Sequence, residues 1–147
     1  MSFELDQKYD LLLVEDNPGD VRLTQEILKD SRYVGRLHLA QDGEEAISFL
    51  FKEGRYQDSP TPHLVILDLN LPKRNGLEVL QEMKSNAKTN HIPVIILTSS
   101  ESKQDIQNCY KLNANAYLTK PVDFDKYQHM IKYIEQFWFS LIKLPVQ

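Results

Sequence analysis

The chain has 147 residues, enough for one domain with a substantial core, and its 41% hydrophobic and 26% charged content excludes a disordered segment. A net charge of -4 offers no broad basic field and weighs against nucleic acid as the main partner. Cys109 is the single cysteine, which rules out an internal disulfide, and no apolar run is long enough to cross a membrane.

Met1 to Asp10 lacks the basic start and apolar stretch of a signal peptide, so a reduced, cytoplasmic compartment is the expectation. Tyr9 to Val14 is an apolar run that predicts a strand, ending in Glu15-Asp16. Asn17-Pro18-Gly19-Asp20 reads as a helix start, with Asn17 as cap, Pro18 at the first helical position and Asp20 near the positive end of the dipole. Val21, Thr24 and Leu28, with Ile27 beside them, form the expected buried stripe to about Lys29. Gly35 follows, and then a short strand over Arg36 to Ala40. Asp42-Gly43-Glu44-Glu45 carries a capping-box pattern and opens a helix through Phe51, followed by a polar surface loop from Lys52 to Pro62.

Leu64 to Leu67 is an unbroken apolar run ending in Asp68, as suits a strand buried on both faces of a parallel sheet. After a turn at Pro72 to Gly76, Asn75 and Glu78 form a second cap-and-return pair for a helix to about Ser85. Ile92 to Leu97 predicts a fourth strand ending at Thr98-Ser99-Ser100, and Glu101 to Leu112 a helix that carries Cys109 as a small core residue. Ala116 to Leu118 is a short fifth strand ending in Thr119-Lys120-Pro121, and Asp123 starts a last helix to roughly Leu141. Five strands alternating with five helices predict one doubly wound α/β domain with a parallel sheet and helices on both faces.

In such a sheet all strands point the same way, so Glu15-Asp16, Asp68, Thr98-Ser99 and Lys120 gather at one edge, where ligands bind in open α/β folds. Three carboxylates packed together repel and call for a counter-charge. Magnesium fits, as a hard cation that takes carboxylate, water and phosphate oxygens. With Lys120 and the Thr98 hydroxyl, the set is a minimal kit for phosphoryl transfer to aspartate. Asp68 is the expected nucleophile, Asp16 and Asp68 the direct metal ligands, Glu15 a ligand through water, and Asn70 a ligand through its backbone carbonyl. Thr98 and Lys120 would stabilise the phosphoryl oxygens. His38, His63, His91 and His129 share no ligand spacing and predict no metal.

The segments VEDNPGD, VILDLNLPKRNG, VIILTSS and ANAYLTKP, in that order and spacing, resemble the receiver domains of two-component response regulators over about residues 9 to 141. The resemblance implies the chemotaxis-type, flavodoxin-like fold with strand order 2-1-3-4-5, and phosphorylation of Asp68 by a partner histidine kinase with magnesium. It also implies a cis Lys120-Pro121 peptide, and a switch in which Tyr117 turns inward as the Thr98 hydroxyl moves. The acidic start, the insert before Pro62 and the Phe-Trp-Phe tail look like the small regulators paired with cyanobacterial phytochromes.

In the last helix, Phe124, Tyr127, Ile131, Ile134, Trp138 and Leu141 recur at spacings of three and four, a stripe expected to pack on the sheet. Met130, Tyr133 and Phe137 form a second stripe about 100° round. It predicts a homodimer through this helix; the alternative is a wider docking face aided by Leu144-Pro145-Val146 folding back. The chain thus reads as a single receiver domain, 1–147, without an output domain, signalling to a downstream protein and to neither DNA nor membrane. Two rival readings are a phosphate-independent binding module and an aspartyl-phosphate hydrolase. The hydrolase would want an acid two residues after the nucleophile, where this chain has Asn70.

Overall fold

The computed structural model describes residues 8–141. Within them the elements run β1 (Tyr9–Val14), α1 (Pro18–Leu28), β2 (Val34–Ala40), α2 (Gly43–Leu50), β3 (Leu64–Leu67), α3 (Gly76–Lys84), β4 (Val94–Thr98), α4 (Lys103–Lys111), β5 (Ala116–Thr119) and α5 (Phe124–Gln136). All pairings are parallel and the strand order is β2-β1-β3-β4-β5, as expected.

Strand residues alternate between two cores. Leu12, Val14, Val65, Leu67, Val94 and Ile96 face α2, α3 and α4 through Phe49, Leu80, Met83 and Cys109. Leu11, Leu13, Leu64, Ile66, Ile95 and Leu97 face α1 and α5 through Leu28, Tyr127, Ile131 and Ile134. Because the three central strands are covered on both sides, their sequences are continuous apolar runs. Each such side chain contributes roughly 1.5–3 kcal/mol by leaving water.

The helix starts follow their cap residues. The Asn17 side chain accepts the Asp20 N–H at 3.0 Å, and Asn75 and Glu78 form the full reciprocal box at the start of α3. At α2 only half of the expected box forms. Asp42 accepts the Glu45 N–H at 2.7 Å, but the Glu45 carboxylate takes the Gln41 N–H at 2.6 Å instead of the cap's own. Ser102 caps α4, so that helix begins two residues later than its sequence suggests.

Two further expectations are corrected, at β2 and in the last helix. β2 begins at Val34, with Gly35 as an extra residue: Tyr9 pairs with Val34 but Asp10 with Arg36. Gly35 therefore lies inside the strand, as a bulge; a Cβ there would lie 2.5 Å from Lys8 Cβ. The loop after α2 holds a 3-10 turn at Gly54–Tyr56, and the Tyr56 ring packs edge-on to Phe49 at 5.4 Å. In the last helix Tyr127, Ile131 and Ile134 are buried as expected, but Phe124 is 58% exposed. Past Gln136 the backbone widens into a π-helical turn, Phe137–Leu141, which shifts the facing by part of a residue. Phe139 turns inward, 5% exposed, while Trp138 is only half-buried. The Phe139 ring stacks on Tyr9 at 4.8 Å and 13°. The Leu141 side chain and Leu144-Pro145-Val146 lie outside the described residues.

At the opposite end of the sheet from Asp68, Tyr9 also meets His63 edge-on at 5.1 Å, and His63 Nδ1 accepts the Asp10 N–H at 3.0 Å. That bond needs a neutral ring nitrogen. Burial holds the imidazole below its usual value of 6.5, against the pull of the Asp10 carboxylate. The unfolded chain therefore takes up this proton first, so the His63 contribution is complete above about pH 6.5 and is lost as pH falls below it. The stability advantage of wild type over His63→Gln should shrink between about pH 7.5 and 5 in urea titrations.

Candidate functional site

Glu15, Asp16, Asp68, Thr98 and Lys120 meet at one edge of the sheet, as the strand ends predicted. Backbone bonds set the exits: the Asp68 N–H bonds to the Val14 carbonyl at 3.0 Å, and the Lys120 N–H to that of Thr98 at 2.7 Å. Lys120 Nζ then lies 2.6 Å from Glu15 Oε1, 2.8 Å from Asp20 Oδ2 and 2.9 Å from Asp68 Oδ2. An ammonium has three donors, and each of them has a carboxylate.

Burial alone would raise the Asp68 carboxyl, but Lys120, the Thr98 hydroxyl and the Asn70 N–H hold it below its ordinary value. Glu15, 3% exposed, responds differently. Burial and the adjacent Asp68 charge outweigh its bonds to Lys120 and the Asn17 N–H, and push it up to about 7. Lys120 is half-buried, which would lower it, yet its three carboxylate partners hold it above the usual lysine range.

Oxygens of Glu15, Asp16 and Asp68 lie within 4.8 Å of one another, with Asp16 exposed and the other two buried. Together with Asp20 they set four carboxylates against the one ammonium of Lys120. This all-oxygen, charge-deficient set fits a hard divalent cation. Asn70 is exposed, and its N–H donates to Asp68 Oδ1 at 3.3 Å. Thr98 is fully buried, and the Ser100 N–H approaches its hydroxyl at 3.4 Å. Tyr117 is half-buried and its hydroxyl donates to the Ser100 carbonyl at 2.9 Å, so both expected switch residues grip the same short loop. Among the described residues no peptide bond is cis, so Lys120-Pro121 is trans, against expectation. The two isomers of an X-Pro bond differ by only about 0.5–1 kcal/mol.

Two partners escaped the sequence reading. Asp20 serves Lys120 as well as the helix dipole, and its place at the helix start gave no sign of the second role. Gly76 starts α3 so close to the acceptor that a Cβ there would lie 2.2 Å from the Asp68 carbonyl oxygen. In the turn before α3, Lys73 pairs with Asp42 at 3.6 Å and Arg74 with Glu82 at 2.6 Å.

The five-stranded order and the acidic strand-end cluster define a receiver-type domain. Residues 11–132 match the response regulator receiver domain, and the chain belongs to that family. It is 43% identical over 145 residues to response regulator Rcp1 of Synechocystis sp., covering 99% of each chain. The crystal structure of the Mn(2+)-bound form of Rcp1 superposes with a TM-score of 0.90 at 43% identity, over 94% of this chain and 99% of that one. The phosphorylated cyanobacterial phytochrome response regulator RcpA superposes with a TM-score of 0.92 at 41% identity, over 95% and 99%. The protein is thus a receiver-domain response regulator related to those of cyanobacterial phytochromes. No helix among the described residues is long and apolar enough to cross a membrane.

Proposed function

We propose that this response regulator takes a phosphoryl group on Asp68 from a sensor histidine kinase, with a phytochrome as the input, and that it works in the cytoplasm. The observation that carries the reading is Lys120 Nζ, 2.9 Å from the Asp68 carboxylate beside the three-carboxylate cluster. Glu15, Asp16, Asp68 and the Asn70 carbonyl would hold magnesium, which supplies positive charge for the phosphoryl oxygens. An Asp68 carboxylate oxygen attacks phosphorus, the bond from phosphorus to the donor atom breaks, and the donor leaves with the electron pair. Keeping Asp68 ionised, as its neighbours do, is what a nucleophile needs. Lys120 and the Thr98 hydroxyl then steady the transferred oxygens. The protein is a signalling switch that assists its own transfer, and Asn70 stands where a phosphatase would need an acid.

The test is intact-mass measurement after incubation with acetyl phosphate. Wild type should gain one phosphoryl group only with magnesium, with acetate as leaving group, and Asp68→Asn should gain none. No gain by wild type while hydrolysis is slow enough to catch would favour a phosphate-independent binding module.

The signal leaves as a protein contact, with Thr98 and Tyr117 re-setting the face of α4, β5 and α5 through the loop at Ser100. Residues 1–147 act as one receiver unit in this reading. Met130, Tyr133 and Phe137 line an apolar groove of about 720 Å³ with Leu118 and Pro121, and Tyr133 is 75% exposed. This surface suits a homodimer across α5. Wild type should sediment as a dimer at about tens of micromolar and Tyr133→Asp as a monomer, since a buried unpaired charge opposes association.

A further inference from the structure

We infer that Asp20 is the positioning residue for Lys120. The inference rests on the phosphotransfer reading above, since it concerns how the lysine that serves Asp68 is aimed.

Lys120 would have to hold its direction while one of its three partners, Asp68, changes from a carboxylate to an acyl phosphate. Only Glu15 and Asp20 remain constant. Of these, Asp20 has a backbone fixed on both sides. Its N–H donates to Asn17 Oδ1 at 3.0 Å, and its carbonyl accepts the Thr24 hydroxyl at 2.8 Å. Thr24 is fully buried, and its hydroxyl oxygen is 3.1 Å from the Tyr127 hydroxyl oxygen on α5. The Asp20 side chain therefore projects from a peptide unit tied to the helix cap below it and, through Thr24, to α5. Its Oδ2 meets Nζ at 2.8 Å. Glu15 offers a shorter contact, but it also faces Asp68 and Asp16 in the acidic cluster, which a cation would occupy. Asp20 is not part of that cluster. It is the partner that stays with the lysine whichever ligand the other carboxylates take up.

Held in this way, Lys120 needs little reorientation to bond a phosphoryl oxygen on Asp68, which is the preorganisation that electrostatic stabilisation requires. Without Asp20 its flexible stem has other staggered conformers to sample.

The closing experiment is a double-mutant cycle on phosphorylation by acetyl phosphate, read with the NMR signal of the Lys120 ammonium. Asp20→Ala should slow phosphorylation by about tenfold, and Asp20→Asn, which keeps an oxygen acceptor, should recover part of the rate. In a Lys120→Ala background Asp20→Ala should cost nothing further, because Asp20 acts through the lysine. Asp20→Ala should also broaden or erase the Lys120 ammonium signal in the unphosphorylated protein, a readout that needs no phosphoryl transfer. That arm tests the positioning even if wild type fails to label with acetyl phosphate. An unchanged ammonium signal in Asp20→Ala would overturn the assignment. So would an equal rate loss in both backgrounds, or a loss of magnesium affinity in step with the rate, which would make Asp20 a ligand of the cation.

Discussion

Lys120→Ala is expected to slow phosphorylation by acetyl phosphate by about 10²–10³-fold, the range for removing one preorganised charge at a phosphoryl or oxyanion site. Its ammonium contacts Asp68 directly and is the sole cation within hydrogen-bond reach of that carboxylate among the described residues. The same substitution should tighten magnesium binding, because it leaves the carboxylates with no internal counter-charge. The two effects have opposite signs, which separates them from general damage: a misfolded site would lose both. Calorimetric titration with magnesium, beside the labelling rate, measures the pair. The fold itself should persist, since Lys120 and its three carboxylate partners lie outside both apolar cores. A circular dichroism spectrum unlike that of wild type would contradict this.

Gly76→Ala should lower stability by about 3 kcal/mol, at the upper end of overpacking costs, and the melting temperature by about 10 °C. The new Cβ would lie 2.2 Å from the Asp68 carbonyl oxygen and 2.6 Å from Leu69 Cα. Both are backbone atoms, so no flexible side chain can yield. The strain falls on the peptide that carries the acceptor, and the labelling rate should drop with it. Gly54→Ala is the control. Gly54 has a positive φ of 57° but nothing within 4 Å of a Cβ, so it should cost only about 1 kcal/mol of backbone strain. Equal losses at the two glycines would show that the close contact at Gly76 is relieved at little cost.

The strands and the site were legible for the same reason. β1, β3 and β4 are covered on both faces, so apolar runs marked them, and the first polar residue after each run fell at the sheet edge. Asp68 and Thr98 could thus be placed together before any geometry was known. Local rules failed where an element departed from its regular repeat. Periodicity of 3.6 carried through Leu141 put Trp138 and Leu141 inward, and the π-turn gave the inward place to Phe139. The bulge at Gly35 put the expected start of β2 two residues late, because a glycine in a strand and a glycine in a turn look alike in sequence. Asp20 was hidden by having two roles. Its helix-start position fully accounted for it, and only the distance to Lys120 revealed the other.

Because every pairing in the sheet is parallel, no two neighbouring strands can be closed by a tight hairpin; each must await a crossover through a helix. β1, although first in the chain, stays open along one edge until β3 has been made. β5, at the far edge, is the last strand to dock, and Lys120 follows directly from it. A chain emerging during synthesis therefore gathers its carboxylates before it acquires the ammonium that neutralises them. A half-made copy in which β5 has not docked lacks the lysine, and should draw phosphate more slowly than finished ones.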